Sequence, residues 1–198
     1  LSDAINSIRP KNGENVFECD LQKVRDTYLS AVAELGVKTK YVLDKMPHNF
    51  RFVEFIEKCL PEAKIIHIKR DAVANAWSLF NTYFPDGAQH FSYSIDDIVF
   101  YYLEYLDLVT RLAKKYESTV LYVRYEGLIE RFQETQEKIF NHLNLGTDGL
   151  NFSEFPEAEG LVRTASITST RTELQKNRNA KIMKFPNIYQ LIRELEGL

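Results

Sequence analysis

The stretch IIHIKRDAVANAWSLF, residues 65–80, passes from one hydrophobic pattern to another. Its isoleucines are β-branched and apolar, so residues 64–70 are predicted to form a buried strand. Asp71 then suits the N-cap of a helix, and apolar side chains recur at helical spacing as far as Phe80. A strand that leads directly into a helix is the repeating unit of α/β folds with a parallel sheet.

Strands and helices alternate through most of the remaining chain. Apolar runs predict two further strands, at residues 40–44 and 119–125. Helical patterns are predicted from Asp20 to about Leu35 with Gly36 as the stop, from Asn49 to just before Pro61, from Ile95 to Tyr116, after the third strand to about Leu143, and from Ile188 to Leu195. We therefore predict a three-layer α/β fold, in which helices cover both faces of a mostly parallel central sheet.

The composition is that of one globular domain. The chain has 198 residues, 44% of them hydrophobic, which predicts a single domain over residues 1–198. A net charge of −3 argues against nucleic acid as a partner. No apolar run is long enough for a membrane span. The two cysteines, Cys19 and Cys59, have no metal-binding spacing and are expected to be free thiols, so we predict a cytoplasmic location.

Each predicted strand ends in a cationic residue. Lys45, Arg70 and Arg124 follow or close the three strands, and ligands of parallel sheets bind at the carboxyl ends of strands. Charged strand ends that merely meet water are the alternative explanation. Arg70 is the most informative, because Ser78 follows it by about two helical turns, and a guanidinium with a nearby hydroxyl suits a phosphate.

Four blocks of the sequence together resemble the sulfotransferases that use 3′-phosphoadenylyl sulfate (PAPS). They are YVLDKMPHNF (41–50), RDAVANAWS (70–78), VLYVRYEGLIE (120–130) and LVRTASITSTR (161–171). The resemblance is to the bacterial type that is often joined to tetratricopeptide repeats and is related to tyrosylprotein sulfotransferases. It implies a fold of the P-loop-hydrolase kind, with PAPS as co-substrate, no metal, and a small-molecule or peptide acceptor.

The resemblance also implies roles for individual residues. Lys45 would stabilise the charge that develops on the leaving nucleotide, in an in-line displacement. Arg70 and Ser78 would bind the 3′-phosphate of PAPS, and Tyr125 would close over it. The segment 146–198 would cover the nucleotide and end in the last helix, and its nucleotide-binding residues would be Arg163, Thr164, Ser166 and Arg171.

Two features depart from the family pattern. No glycine-rich and hydroxyl-rich 5′-phosphosulfate loop occurs before Lys45, so that loop, the first strand and the family's glutamate base are expected upstream of Leu1. A sheet without its first strand has an open edge, which predicts pairing with a second copy as a homodimer. In the last block, Ser169 and Thr170 precede Arg171 where the family has Gln-Val-Arg, so an amide is lost.

Three alternatives stay open on the sequence. A nucleotide kinase would share the sheet architecture but would need the motif G-x-x-x-x-G-K-[ST], which does not occur in this chain. A non-catalytic nucleotide-binding relative would keep the scaffold alone. Within the sulfotransferase interpretation, His48 could serve as the base, against a surface or capping role, whereas His67 inside an apolar strand is expected to be a core histidine with its hydrogen bonds satisfied.

Overall fold

The structure is a computed structural model that describes residues 20–36, 38–84, 89–146 and residue 190. Within these residues the helices are α1 (Leu21–Glu34), α2 (Val53–Cys59), α3 (Ala72–Phe80), α4 (Ile95–Lys115), α5 (Tyr125–Glu130) and α6 (Phe132–Leu143), with 3₁₀ helices at Pro47–Phe52 and His90–Tyr93. Strands β1 (Ile65–Lys69) and β2 (Val120–Arg124) form a parallel two-stranded sheet. The mixed α/β class predicted from the sequence is confirmed.

The predicted strand at residues 40–44 is wrong. These residues have no strand structure, and the side chains of Tyr41, Val42 and Leu43 are 58%, 49% and 88% exposed. An apolar run becomes a strand only when a neighbouring backbone accepts and donates its hydrogen bonds. In the described part of the chain the sheet consists of β1 and β2, and residues 40–44 pair with neither of them.

Two compact units make up the described chain, and the first contains the residues up to Ile65 together with Leu108–Val120. Helix α1 begins where the Asp20 carboxylate accepts the backbone N–H of Lys23 at 3.1 Å, and it ends before Gly36, whose φ of +64° lies in the left-handed region. Both ends were predicted. Two clusters of buried residues form the core, one of Val24, Phe55, Cys59 and Leu60 and one of Val53, Leu112, Tyr116 and Val120.

The second unit contains Ile66–Asp107 and the described residues from Leu121 onward. Its core packs α3 against the first half of α4, through Ala72, Val73, Ala76 and Ile98. Helix α4 carries two aspartates in its first turn and two lysines in its last, a distribution that favours the helix dipole. The predicted helix at residues 188–195 lies outside the described residues, apart from Gln190, which is helical.

Candidate functional site

The carboxyl ends of β1 and β2 bring two of the predicted site residues together. Arg70 follows β1 directly, and Tyr125 follows β2 as the first residue of α5. The guanidinium carbon of Arg70 lies 5.3 Å from the centroid of the Tyr125 ring, which is a cation–π contact. Such a contact uses the face of the ring, so the N–H donors around the edge of the guanidinium can still bind an anion.

A second contact joins the same two strand ends. The backbone N–H of Asp71 donates to Oε1 of Glu126 at 2.8 Å, and the Asp71 carboxylate accepts the N–H of Ala74, also at 2.8 Å. Burial acts to raise the pKa of Glu126, but the backbone N–H donors and the nearby Arg124 outweigh it, so the pKa is lowered. Glu126 is therefore held as a carboxylate beside the start of α3.

Ser78 lies near the C-terminal end of α3, a nine-residue helix, and is half-buried. Because the Asp71 cap fixes the start of this short helix, the position of Ser78 follows from the same strand end that carries Arg70. The cap and the extent of α3 are as predicted from the sequence. The role of Ser78 stays a prediction.

Lys45 belongs to the first unit and is exposed. The preceding Asp44 accepts hydrogen bonds from the hydroxyl of Tyr28 and from Nδ2 of Asn49, both at 3.3 Å. Burial, together with the charge of Asp44, raises the pKa of Tyr28, which keeps its hydroxyl protonated and able to donate. These two bonds restrain the backbone immediately before Lys45.

The prediction that Asn49 caps a helix is wrong. The 3₁₀ helix begins at Pro47, its N-cap is Met46, and no side chain forms a capping hydrogen bond there. Proline favours the first helical position because its fixed φ suits the helix and it lacks an N–H to satisfy. The side-chain amide of Asn49 instead donates a hydrogen bond to the carboxylate of Asp44, five residues earlier in the sequence.

The other predicted residues are two histidines and the nucleotide-binding residues of the last sequence block. His67 is half-buried and its Nε2 lies 2.7 Å from the hydroxyl of Tyr105, so the expectation of a hydrogen-bonded core histidine agrees with the structure. A base role for His48 stays a prediction. The remaining nucleotide-binding residues, Arg163, Thr164, Ser166 and Arg171, lie outside the described residues.

The described residues contain neither a metal site nor a membrane-spanning helix. They contain no group of three or more His, Cys, Asp or Glu side chains placed to hold a metal ion. Over the same residues, no helix combines the length and the apolar character needed to cross a membrane.

Comparison with known proteins identifies the family. A family model described as "Sulfotransferase family" matches residues 4–149 of the 198. The chain belongs to the sulfotransferase family. The match includes the first three of the four sequence blocks and confirms the resemblance to sulfotransferases, and the parallel α/β structure is consistent with a sulfotransferase fold.

One curated relative is informative about length. The chain is 25% identical over 177 residues to an uncharacterized protein of Aquifex aeolicus (strain VF5). The match covers 87% of this chain and 23% of that protein, so the chain spans less than a quarter of its relative's length. No solved structure matches the chain.

Two contacts in the structure are not predicted by the sequence. Glu126 belongs to a block that resembles the family, but nothing in the sequence indicates that its carboxylate accepts a hydrogen bond from the backbone N–H of Asp71. Asn49 follows Asp44 within one motif, and the structure shows a hydrogen bond between these two side chains instead of a helix cap at Asn49.

Proposed function

We propose that this sulfotransferase moves a sulfuryl group from PAPS to a hydroxyl, tyrosine or amine acceptor by in-line displacement. The observation that carries the proposal is the Arg70–Tyr125 contact, in which a guanidinium and a phenol meet at the carboxyl ends of adjacent parallel strands. This is where α/β proteins bind ligands. A guanidinium fork and a hydroxyl are suitable partners for the 3′-phosphate that distinguishes PAPS from adenylyl sulfate.

The 3′-phosphate would be bound by the second unit. Arg70 would provide paired N–H donors, Tyr125 its hydroxyl, and Ser78 a further hydroxyl. The family resemblance supports each assignment, and the contact between Arg70 and Tyr125 supports the first two. In this proposal the Tyr125 ring holds the guanidinium in place before the nucleotide arrives, which reduces the entropy lost on binding.

Lys45 would act on the chemistry rather than on donor recognition. Negative charge grows on the bridging oxygen as the sulfuryl group leaves the nucleotide phosphate. A cation directed at this oxygen stabilises the transition state more than the ground state, which is the condition for raising the rate. The hydrogen bonds on Asp44 support this role, because they restrain the backbone that carries Lys45.

Calorimetry with the full-length protein tests the donor assignment. We expect 3′-phosphoadenosine 5′-phosphate to bind more tightly than adenosine 5′-phosphate. Arg70→Ala should remove about 1.5–3 kcal/mol of the binding free energy of the first nucleotide, the range for a hydrogen bond to a charged group. It should change the binding of the second nucleotide much less, because that nucleotide has no 3′-phosphate.

Arg131→Ala provides the matched control. Arg131 is also an arginine of the second unit, its side chain is 64% exposed, and its ion pair with Glu134 spans 3.9 Å within neighbouring turns. Its removal should leave both affinities unchanged. Equal wild-type affinity for the two nucleotides would exclude a 3′-phosphate site at Arg70, and magnesium-dependent phosphoryl transfer from ATP would instead support a kinase.

A further inference from the structure

The start of α3 has only half of a capping box within its own sequence. In a complete box, the N-cap side chain accepts the N–H of the third helical residue, and a Glu or Gln at that third position accepts the N–H of the N-cap. Asp71 provides the first half, since its carboxylate accepts from Ala74. Ala74 has no side chain that could provide the second half.

Glu126 provides the missing half from another part of the fold. Its Oε1 accepts the N–H of Asp71 at 2.8 Å, although the two residues are 55 positions apart in the sequence. The acceptor thus comes from the residues after β2 and the donor from the residues after β1. Beside this bond the preceding residues, Arg70 and Tyr125, form their cation–π contact. Two consecutive residues at one strand end therefore contact two consecutive residues at the other.

Packing around Gly127 keeps Glu126 in position. Gly127 is buried, and its carbonyl accepts the hydroxyl of Thr135 on α6 at 3.0 Å. A Cβ atom at Gly127 would lie 3.2 Å from that hydroxyl oxygen, so the close approach of α5 and α6 favours glycine here. Because α5 is only six residues long, fixing its third residue also fixes Glu126.

The carboxylate is oriented by its bond to Asp71 rather than by its ion pair. Arg124 Nε lies 3.5 Å from the second oxygen of Glu126, without hydrogen-bond geometry, and its side chain is 73% exposed. Exposed ion pairs of this kind contribute little to structure. A 2.8 Å bond from a half-buried N–H to a carboxylate is the stronger restraint.

We propose that Glu126 is a positioning residue for donor recognition. By completing the capping box of α3, it holds the turn of Arg70 and Asp71 against Tyr125, and so sets the guanidinium that would meet the 3′-phosphate. This inference rests on the proposed function. Loss of the carboxylate would leave the half-buried N–H of Asp71 without this acceptor, and the turn would shift to find another.

Two variants and one control separate positioning from simple loss of stability. Glu126→Ala removes the acceptor, whereas Glu126→Gln keeps an oxygen at the same place that can accept the same N–H. Glu130→Ala is the control, because Glu130 belongs to the same short helix and is exposed. The functional readout is the ratio of the affinities for 3′-phosphoadenosine 5′-phosphate and adenosine 5′-phosphate in the full-length protein. Partial unfolding lowers both affinities equally and leaves this ratio unchanged.

We expect Glu126→Ala to reduce the ratio by about tenfold, the effect of one hydrogen bond to a charged group. Glu126→Gln should keep most of the wild-type ratio, and Glu130→Ala all of it. A wild-type ratio in Glu126→Ala would overturn the positioning role, as would a loss in Glu126→Gln as large as in Glu126→Ala.

Hydrogen exchange at the Asp71 amide provides a readout that needs no nucleotide. Exchange should be faster in Glu126→Ala than in wild type and nearly unchanged in Glu126→Gln and Glu130→Ala. Faster exchange together with an unchanged affinity ratio would show that the cap is structural only. If the wild-type protein binds both nucleotides equally, the proposed function fails and the positioning role fails with it, even where the exchange data confirm the cap.

Discussion

Replacement of Lys45 by alanine would separate catalysis from binding. Lys45 is exposed, so the substitution creates no cavity and should change the free energy of unfolding by less than about 0.5 kcal/mol. If the side chain contacts the bridging oxygen as charge develops, its loss should lower turnover by about 10²–10³, the effect of removing one electrostatic donor at a transition state. Donor affinity should fall much less.

The contacts of Asp44 predict a graded series of variants. Asn49→Ala removes a side-chain hydrogen bond that restrains Asp44 and leaves the bond from Tyr28. The Lys45 ammonium would still be present, but its backbone would be less restrained and its side chain would sample a wider range of positions. Turnover should therefore fall by less than in Lys45→Ala. Lys45→Arg should recover little activity, because a planar guanidinium does not replace a compact ammonium at a single oxygen.

Steady-state kinetics with radiolabelled PAPS and an accepted hydroxyl or tyrosine substrate would measure these effects in the full-length protein. Lys64→Ala is the matched control, since Lys64 is also exposed and lies at the amino end of β1, the end of a parallel strand that does not bind ligands. Unchanged turnover in Lys45→Ala would refute a catalytic role. A rise in the KM for PAPS with unchanged kcat would show that Lys45 contributes to ground-state binding instead.

Two further predictions concern stability and ionisation. Ile98 of α4 is 2% exposed in the core between α3 and α4, so Ile98→Ala should lower the free energy of unfolding by about 2–5 kcal/mol. Phe100 lies on the same helix and is 66% exposed, so Phe100→Ala should change the free energy of unfolding by less than about 0.5 kcal/mol. Urea denaturation measures both changes. Burial lowers the pKa of His67 below 6.5, and burial raises the pKa of Tyr105 to about 12. The neutral forms are thus favoured by folding, and stability should fall as the pH drops below about 6.5 and again as it rises from about 10 through about 12. An NMR titration of the His67 imidazole with a midpoint at or above 6.5 would contradict this.

The sequence by itself determined most of the local structure in the described residues. The caps at Asp20 and Asp71 were predictable because a capping side chain bonds to a backbone group only three residues away. The periodic apolar residues of α3 and α4 and the apolar runs of β1 and β2 predicted those elements to within a residue or two. The family was also predictable, because its motifs are short stretches that can be read without knowing what they contact.

The tertiary structure decided which backbone and side-chain groups contact each other across long separations in the sequence. Residues 40–44 have the composition of a strand, yet a strand depends on a neighbouring backbone that the run itself does not specify. The cap that Glu126 provides to Asp71 exists only because parallel pairing brings the ends of β1 and β2 side by side. The same pairing sets Arg70 on Tyr125, so the residue types of the candidate site were predictable, but their contacts depend on strand pairing between segments 55 residues apart.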